Sequence, residues 1–161
     1  MQLPSARTAG LLILCIAIPL VIGFIGSIAT LPAITGWYAG LNKPAFNPPG
    51  WLFGPVWTLL YILMGIALFL VVKNGVDTAP VRRAVLVFAA QLLANLAWSF
   101  LFFGMHSIIL GLLDILLLFF LIVATMILFR RISPVAAYLL IPSICWVTFA
   151  SLLNAMIGIL N

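Results

Sequence analysis

Polar residues are so scarce in this chain that they divide it rather than alternate within it. Five apolar stretches, at roughly 9–29, 50–72, 81–103, 107–129 and 135–159, match the ~20 residues a helix needs to cross a hydrocarbon core. None alternates apolar and polar positions as a barrel strand does, and backbone groups in lipid need partners within their own segment. The pattern therefore predicts five membrane-spanning helices. The breaks between them agree. Lys73-Asn74-Gly75 closes the second stretch with a basic residue and a glycine. Only Gly104-Met105-His106 separates the third from the fourth, which predicts an antiparallel hairpin.

The first connection is different. From Trp37 to Tyr61 the chain gathers three of its five tryptophans, two of its three tyrosines and four of its ten prolines. Pro44, Pro48 and Pro49 remove backbone donors and bias their predecessors toward extended conformations, so the first half of this stretch, within the loop 31–50, is expected to be ordered and non-helical. Asn47 before Pro48 reads as an N-cap, with a helix starting at the proline. On that helix Phe53, Trp57 and Tyr61 recur at every fourth position as one aromatic stripe. A loop acting as a lid over an aromatic wall would suit a flat apolar ligand.

Composition fixes the solvent. Of 161 residues, 66% are hydrophobic and 6% charged, and the mean hydropathy is +1.39. A soluble domain of this size cannot hide so much apolar surface. The fold class is all-α: an integral membrane bundle of five transmembrane helices forming one domain over 1–161. A net charge of +5 raises the question of nucleic acid, but the basic residues sit at the ends of the spans rather than in one patch. With alternating spans, Arg7, Lys73, Arg82, Arg83, Arg130 and Arg131 share one side and Lys43 stands alone on the other. The positive-inside rule then places the N-terminus in the cytoplasm, as in a bacterial inner-membrane protein, and the aromatic loop outside. The first apolar run exceeds a signal-peptide core and reads as a retained span. Cys15 and Cys145 fall inside spans as small hydrophobes, with no disulfide or metal pair indicated.

The few polar positions inside the spans are the candidate chemistry. Gly23 with Ser27 and Gly26 with Thr30 are small-residue pairs that suit close helix packing, either within the bundle or in a dimer. Gln91, Asn95 and Trp98 share a face of span three, as interhelical glue or as a ligand wall with hydrogen-bonding handles. Spacing alone favours glue slightly. Asp114 is the one acidic residue inside a span; with no basic partner at mid-span, it reads as a residue holding the bundle together, protonated or hydrogen-bonded to a hydroxyl or amide. Pro142, Trp146, Ala150, Asn154 and Gly158 follow one another at intervals of four on span five, a small and polar groove that becomes a pocket if it lies beside the aromatic wall. His106, alone in its loop, reads as a loop residue rather than a haem ligand. No nucleotide loop, metal-binding helix, paired carboxylates or hydrolytic triad is present.

Several motifs, in order and along the whole chain, resemble the TspO family of tryptophan-rich sensory proteins, relatives of the mitochondrial translocator protein. They are Trp37-Tyr38-x-x-Leu41-x-Lys43-Pro44, Pro48-Pro49, Pro55-Val56-Trp57-Thr58-x-x-Tyr61, Asn95-x-x-Trp98, Asp114 and Trp146-x-x-Phe149-Ala150-x-x-Leu153-Asn154. The resemblance implies a five-helix bundle, usually a homodimer, with a porphyrin-binding pocket under the first loop. Its pocket positions would be Tyr38, Trp57, Tyr61, Asn95, Trp98, Trp146 and Ala150; Gln91 and Asn154 join them from the faces just described. In some bacterial members light-dependent porphyrin breakdown is ascribed to tryptophans matching Trp57 and Trp146, which would make these two catalytic. Two positions depart from the family pattern: Phe46 stands where tryptophan is common, and Ser143 where tyrosine follows a proline. The C-terminal segment lacks the tyrosine and arginine of the animal cholesterol motif.

Three functions are compatible with these residues. The first is a membrane-embedded binder and sensor of porphyrins, needing no cofactor, with Lys43 in the loop to meet the ligand's carboxylates. The second is a porphyrin-degrading photo-enzyme. The third is a transporter of porphyrin or another amphiphile, disfavoured by the lack of internal repeats, charge relay or nucleotide site.

Overall fold

The computed structural model describes residues 6–161; the first five positions of the expected 1–161 domain lie outside the described residues. Its elements are helical. α1 is Ala6–Thr35, α2 Trp37–Gly40, α3 Phe53–Val72 and α4 Ala79–Trp98. α5 is Ile108–Arg130, α6 Pro134–Tyr138 and α7 Ile141–Leu160. Five segments are long and apolar enough to cross a membrane: Ala6–Thr35, Gly50–Val72, Ala79–Gly104, Ile108–Arg130 and Pro134–Leu160. Around the bundle the neighbours run one, two, five, four, three and back to one.

The first span is longer than its apolar run, because α1 continues through Pro19 and Pro32 to Thr35. Spans three and five each carry a break. Span three ends in a π-helical turn, Ser99–Gly104, in which the Met105 amide reaches back five residues to the Phe100 carbonyl at 2.7 Å. The wider turn brings both Phe102 and Phe103 into the core beside Trp98. Span five is two helices, α6 and α7, with Pro142 in the first turn of the second. Proline cannot donate to the carbonyl four residues back, and the chain uses the break to start a new helix.

The core lies in two layers along the bundle. One joins Leu60, Met64, Val71, Ala84, Phe88, Phe129 and Leu140. The other joins Tyr38, Phe53, Trp98, Phe102, Ile115, Val147 and Ile157. Two glycines set how closely spans one and two meet. A side chain on Gly65 would strike the backbone of Ile16, and one on Gly23 would strike the Tyr61 ring. Gly26 likewise faces Ser99, so both of these span-one glycines serve packing within the bundle.

The first loop departs from its reading in two places: α1 runs on to Thr35 and α2 makes Trp37–Gly40 helical, so only 41–49 is the non-helical loop expected, and Asn47 is not an N-cap. Instead of a helix starting at Pro48, a 3₁₀ turn, Gly50–Leu52, precedes α3, and it has no side-chain cap. The Asn47 carboxamide is used elsewhere. Its oxygen accepts from the Tyr38 hydroxyl at 2.6 Å, and its nitrogen donates to the Pro48 carbonyl. A second tie joins the loop to span five. The Asn42 amide donates to the Asn161 side-chain oxygen at 3.0 Å, and the Asn161 side-chain nitrogen donates back to the Asn42 carbonyl at 2.9 Å.

Candidate functional site

A cavity of about 400 Å³ lies between spans one, two and the end of three. Its back wall is aromatic because Phe53, Trp57 and Tyr61 do project from one side of α3. Trp57 stacks on Tyr61 at 5.6 Å between ring centres and lies 6.5 Å from Trp98. Span one supplies the facing wall with Leu20, Gly23, Phe24, Ser27, Thr30 and Leu31. Gly23 leaves room for the Tyr61 ring to lie against its backbone.

A second, much smaller space of about 20 Å³ is lined by Tyr38, Phe53, Trp98, Ala150 and Asn154, among others. Phe53, Trp98 and Phe103 line both spaces and separate them. Six of the nine sequence-derived site residues thus line two neighbouring chambers. Trp57 and Tyr61 line the large cavity, Trp98 lines both, and Tyr38, Ala150 and Asn154 line the small one.

Three of the nine line neither space. Gln91 is fully buried and donates to the Met64 sulfur at 3.7 Å, and Asn95 accepts a hydrogen bond from the Tyr61 hydroxyl. Both tie span three to span two, as interhelical glue does. Trp146 stands one layer behind the cavity, edge-on to Phe53 at 6.1 Å. Asn154 also bridges helices, donating to the Ile108 carbonyl at 2.9 Å. The groove expected along Pro142, Trp146, Ala150, Asn154 and Gly158 is not one buried face, because Pro142 and Gly158 are exposed. The buried stripe of α7 runs instead through Ser143, Val147, Ala150, Asn154 and Ile157. Alternating steps of three and four follow the helix better than uniform steps of four.

The electrostatics differ from the sequence reading at two points. Lys43 does not face the cavity. Its ammonium donates to the carbonyls of Tyr38, Ala39 and Leu41 at 2.8–3.1 Å and so closes the C-terminal end of α2. Asp114 keeps one buried oxygen, Oδ2, without a hydrogen-bond partner, so of its two readings, protonated or bonded to a hydroxyl or amide, the second is not met at that atom. Tyr38, in the first loop, is buried, and that burial pushes its phenol up to about 12. His106 is exposed but not isolated, since it stacks on Trp37 at 4.8 Å. Its backbone holds a positive φ of 54° at the turn between spans three and four.

Several polar atoms of the interior have no partner. Besides Asp114, they include the indole nitrogens of Trp98 and Trp146, Gln91 Oε1, Asn95 Nδ2 and Asn154 Oδ1. Among the described residues no group of three His, Cys, Asp or Glu side chains could hold a metal ion. Sequence reasoning missed Phe103, Ser27 and Thr30 as lining residues. For the last two the signal was present, as polar positions on span one, but packing explained them equally well.

A sequence profile described as the TspO/MBR family matches residues 15–160. "Tryptophan-rich protein TspO" of Chlorobaculum tepidum is 50% identical over 93% of this chain and 95% of its own length. "Translocator protein" of Homo sapiens is 40% identical over 73% of this chain and 70% of its own. "Tryptophan-rich sensory protein" of Cereibacter sphaeroides is 36% identical over 76% and 80%.

Proposed function

The chain belongs to the TspO/MBR family of integral membrane proteins, and on that premise we propose that it is a membrane receptor and sensor for porphyrins and similar flat apolar molecules. One observation carries the reading: a cavity of about 400 Å³ inside the bundle is walled by Phe53, Trp57, Tyr61 and Trp98. Aromatic faces offer a planar ring system large contact area with little side-chain entropy to lose. The first loop, tied to Asn47 and Asn161, is the lid that fixes this end of α3. Six basic residues on one side of the alternating spans, against Lys43 on the other, support a cytoplasmic N-terminus. The test is a titration of the protein in nanodiscs with protoporphyrin IX, read by tryptophan fluorescence. Saturable quenching at one site per chain is expected; quenching that rises only with the porphyrin content of the lipid would refute the reading.

A second reading, light-driven porphyrin breakdown, draws on the row Trp98–Trp57–Tyr61. These rings are close enough to pass an electron to an excited ligand in the cavity. Comparing products in light and in darkness separates it from binding alone.

A further inference from the structure

The cavity is not closed on all sides. Phe24 and Leu31 on span one, with Trp51, Gly54 and Thr58 on span two, line it and are themselves exposed on the flank of the bundle. The gap therefore faces sideways, at the level of the hydrocarbon and its outer interface, rather than along the bundle axis. At Gly54 nothing stands within 4 Å of where a side chain would begin.

The lining is free of charge. No Lys, Arg, His, Asp or Glu contributes to it, and the nearby Lys43 has its ammonium held by three carbonyls. Three of the hydroxyls that line it are committed as donors to a carbonyl of their own helix, Ser27 to Phe24, Thr30 to Gly26 and Thr58 to Gly54, and Tyr61 donates to Asn95. They present acceptor lone pairs to the space. On the donor side, Ser99 contributes a hydroxyl to the lining; the indole N–H of Trp98 has no partner but is itself buried behind the lining. An ionised carboxylate placed here would lose its hydration without meeting a cation. An uncharged amphiphile, bearing an N–H or hydroxyl for the acceptors and a carbonyl for the Ser99 hydroxyl, would not.

We infer that the cavity is filled from the bilayer, through the gap between spans one and two, and that it takes its ligand in an uncharged form. The inference rests on the porphyrin reading above and narrows it: charged edge groups stay outside the gap, at the interface, or are absent.

The experiment loads protoporphyrin IX or its uncharged dimethyl ester into phosphatidylcholine vesicles at equal mole fraction. The vesicles are mixed with the protein in nanodiscs, and tryptophan quenching is followed in time. The ester should bind about tenfold more tightly than the free acid, as expected when carboxylates must be desolvated. Gly54→Leu meets nothing at its Cβ, narrows the gap and should slow the ester's association about tenfold. Gly10→Leu, at an equally open position on span one outside the cavity, should change neither.

If both forms bind but the acid is favoured, or Gly54→Leu leaves the rates untouched, the inference fails and the receptor reading stands. Should Gly54→Leu alter the oligomeric state and not the rates, a second copy of this chain covers the gap and the inference fails again. If neither form binds the unaltered protein, both readings fall together.

Discussion

At the scale of single residues, the tryptophans divide by where their rings lie. Trp57 lines the cavity and stacks on Tyr61, whereas Trp146 reaches it only through the edge of Phe53. Trp57→Phe keeps most of the stacking face and should weaken porphyrin binding by about 1 kcal/mol. Trp57→Ala should cost more, since it also opens a void. Trp146→Phe should cost less than Trp57→Phe, and isothermal titration of the three variants would check the order. Equal losses at both tryptophans would place Trp146 against the ligand. The residue types of this site were legible in the sequence because intramembrane polar and aromatic positions stand out against hydrocarbon. Their partners were not. Periodicity put Gln91, Asn95 and Trp98 on one face, but it could not say that Asn95 would meet Tyr61 or that Gln91 would meet Met64. Those pairings depend on the relative height of two helices, which no local pattern encodes.

At the scale of elements, the first loop is held by side chains that read from sequence as something else. Asn47 resembled an N-cap, yet the Tyr38 hydroxyl claims its oxygen, and Lys43 closes α2 instead of awaiting a carboxylate. Local capping preferences are worth about 1 kcal/mol, so a single buried tyrosine with one good bond is enough to redirect them. Burial raises the Tyr38 phenol from its ordinary value near 10 to about 12. A group whose folded value is raised stabilises the fold fully below its unfolded value, and that contribution fades as pH climbs through the folded one. The loop should therefore hold to about pH 10 and loosen between about 10 and 12. Trp37 fluorescence in a variant lacking the other tryptophans would follow this, and Tyr38→Phe should remove the transition. The tie between Asn42 and Asn161 makes a separate prediction. Asn161→Ala breaks the reciprocal pair, whereas Asn42→Ala leaves it, because Asn42 takes part through its backbone N–H and carbonyl and loses only its side-chain bond to the Leu160 carbonyl. Faster hydrogen exchange across residues 41–49 in Asn161→Ala, with a much smaller change in Asn42→Ala, is the expected outcome. Equal effects of the two substitutions would show that the Asn42 side chain carries the tie instead.

At the scale of the whole molecule, the number and order of the spans were legible because the bilayer imposes a length on any apolar helix. The ring order one–two–five–four–three was not, since these helices are apolar nearly all round and lipid rewards no particular face. The π-helical turn after Trp98 and the break at Pro142 were hidden too, because their causes lie in packing between spans. At this scale the sequence also makes a prediction of orientation. Arg7, Lys73, Arg82, Arg83, Arg130 and Arg131 cluster at the end of the bundle opposite the first loop, where Lys43 is the one basic residue. Translocating that cluster would be far more costly than translocating Lys43 alone, so the first loop should face away from the cytoplasm. Ala45 is an exposed position there. In a background without Cys15 and Cys145, Ala45→Cys should react with a membrane-impermeant maleimide on intact spheroplasts, whereas Asn74→Cys should react only after permeabilisation. The reverse pattern would invert the topology and turn the gap between spans one and two, with Trp51 at its rim, toward the inner leaflet. Moving Lys73, Arg82 and Arg83 to glutamine together should blur the result by removing half of the cluster. If labelling then becomes mixed, charge sets the orientation; if it stays one-sided, the folded bundle sets it instead.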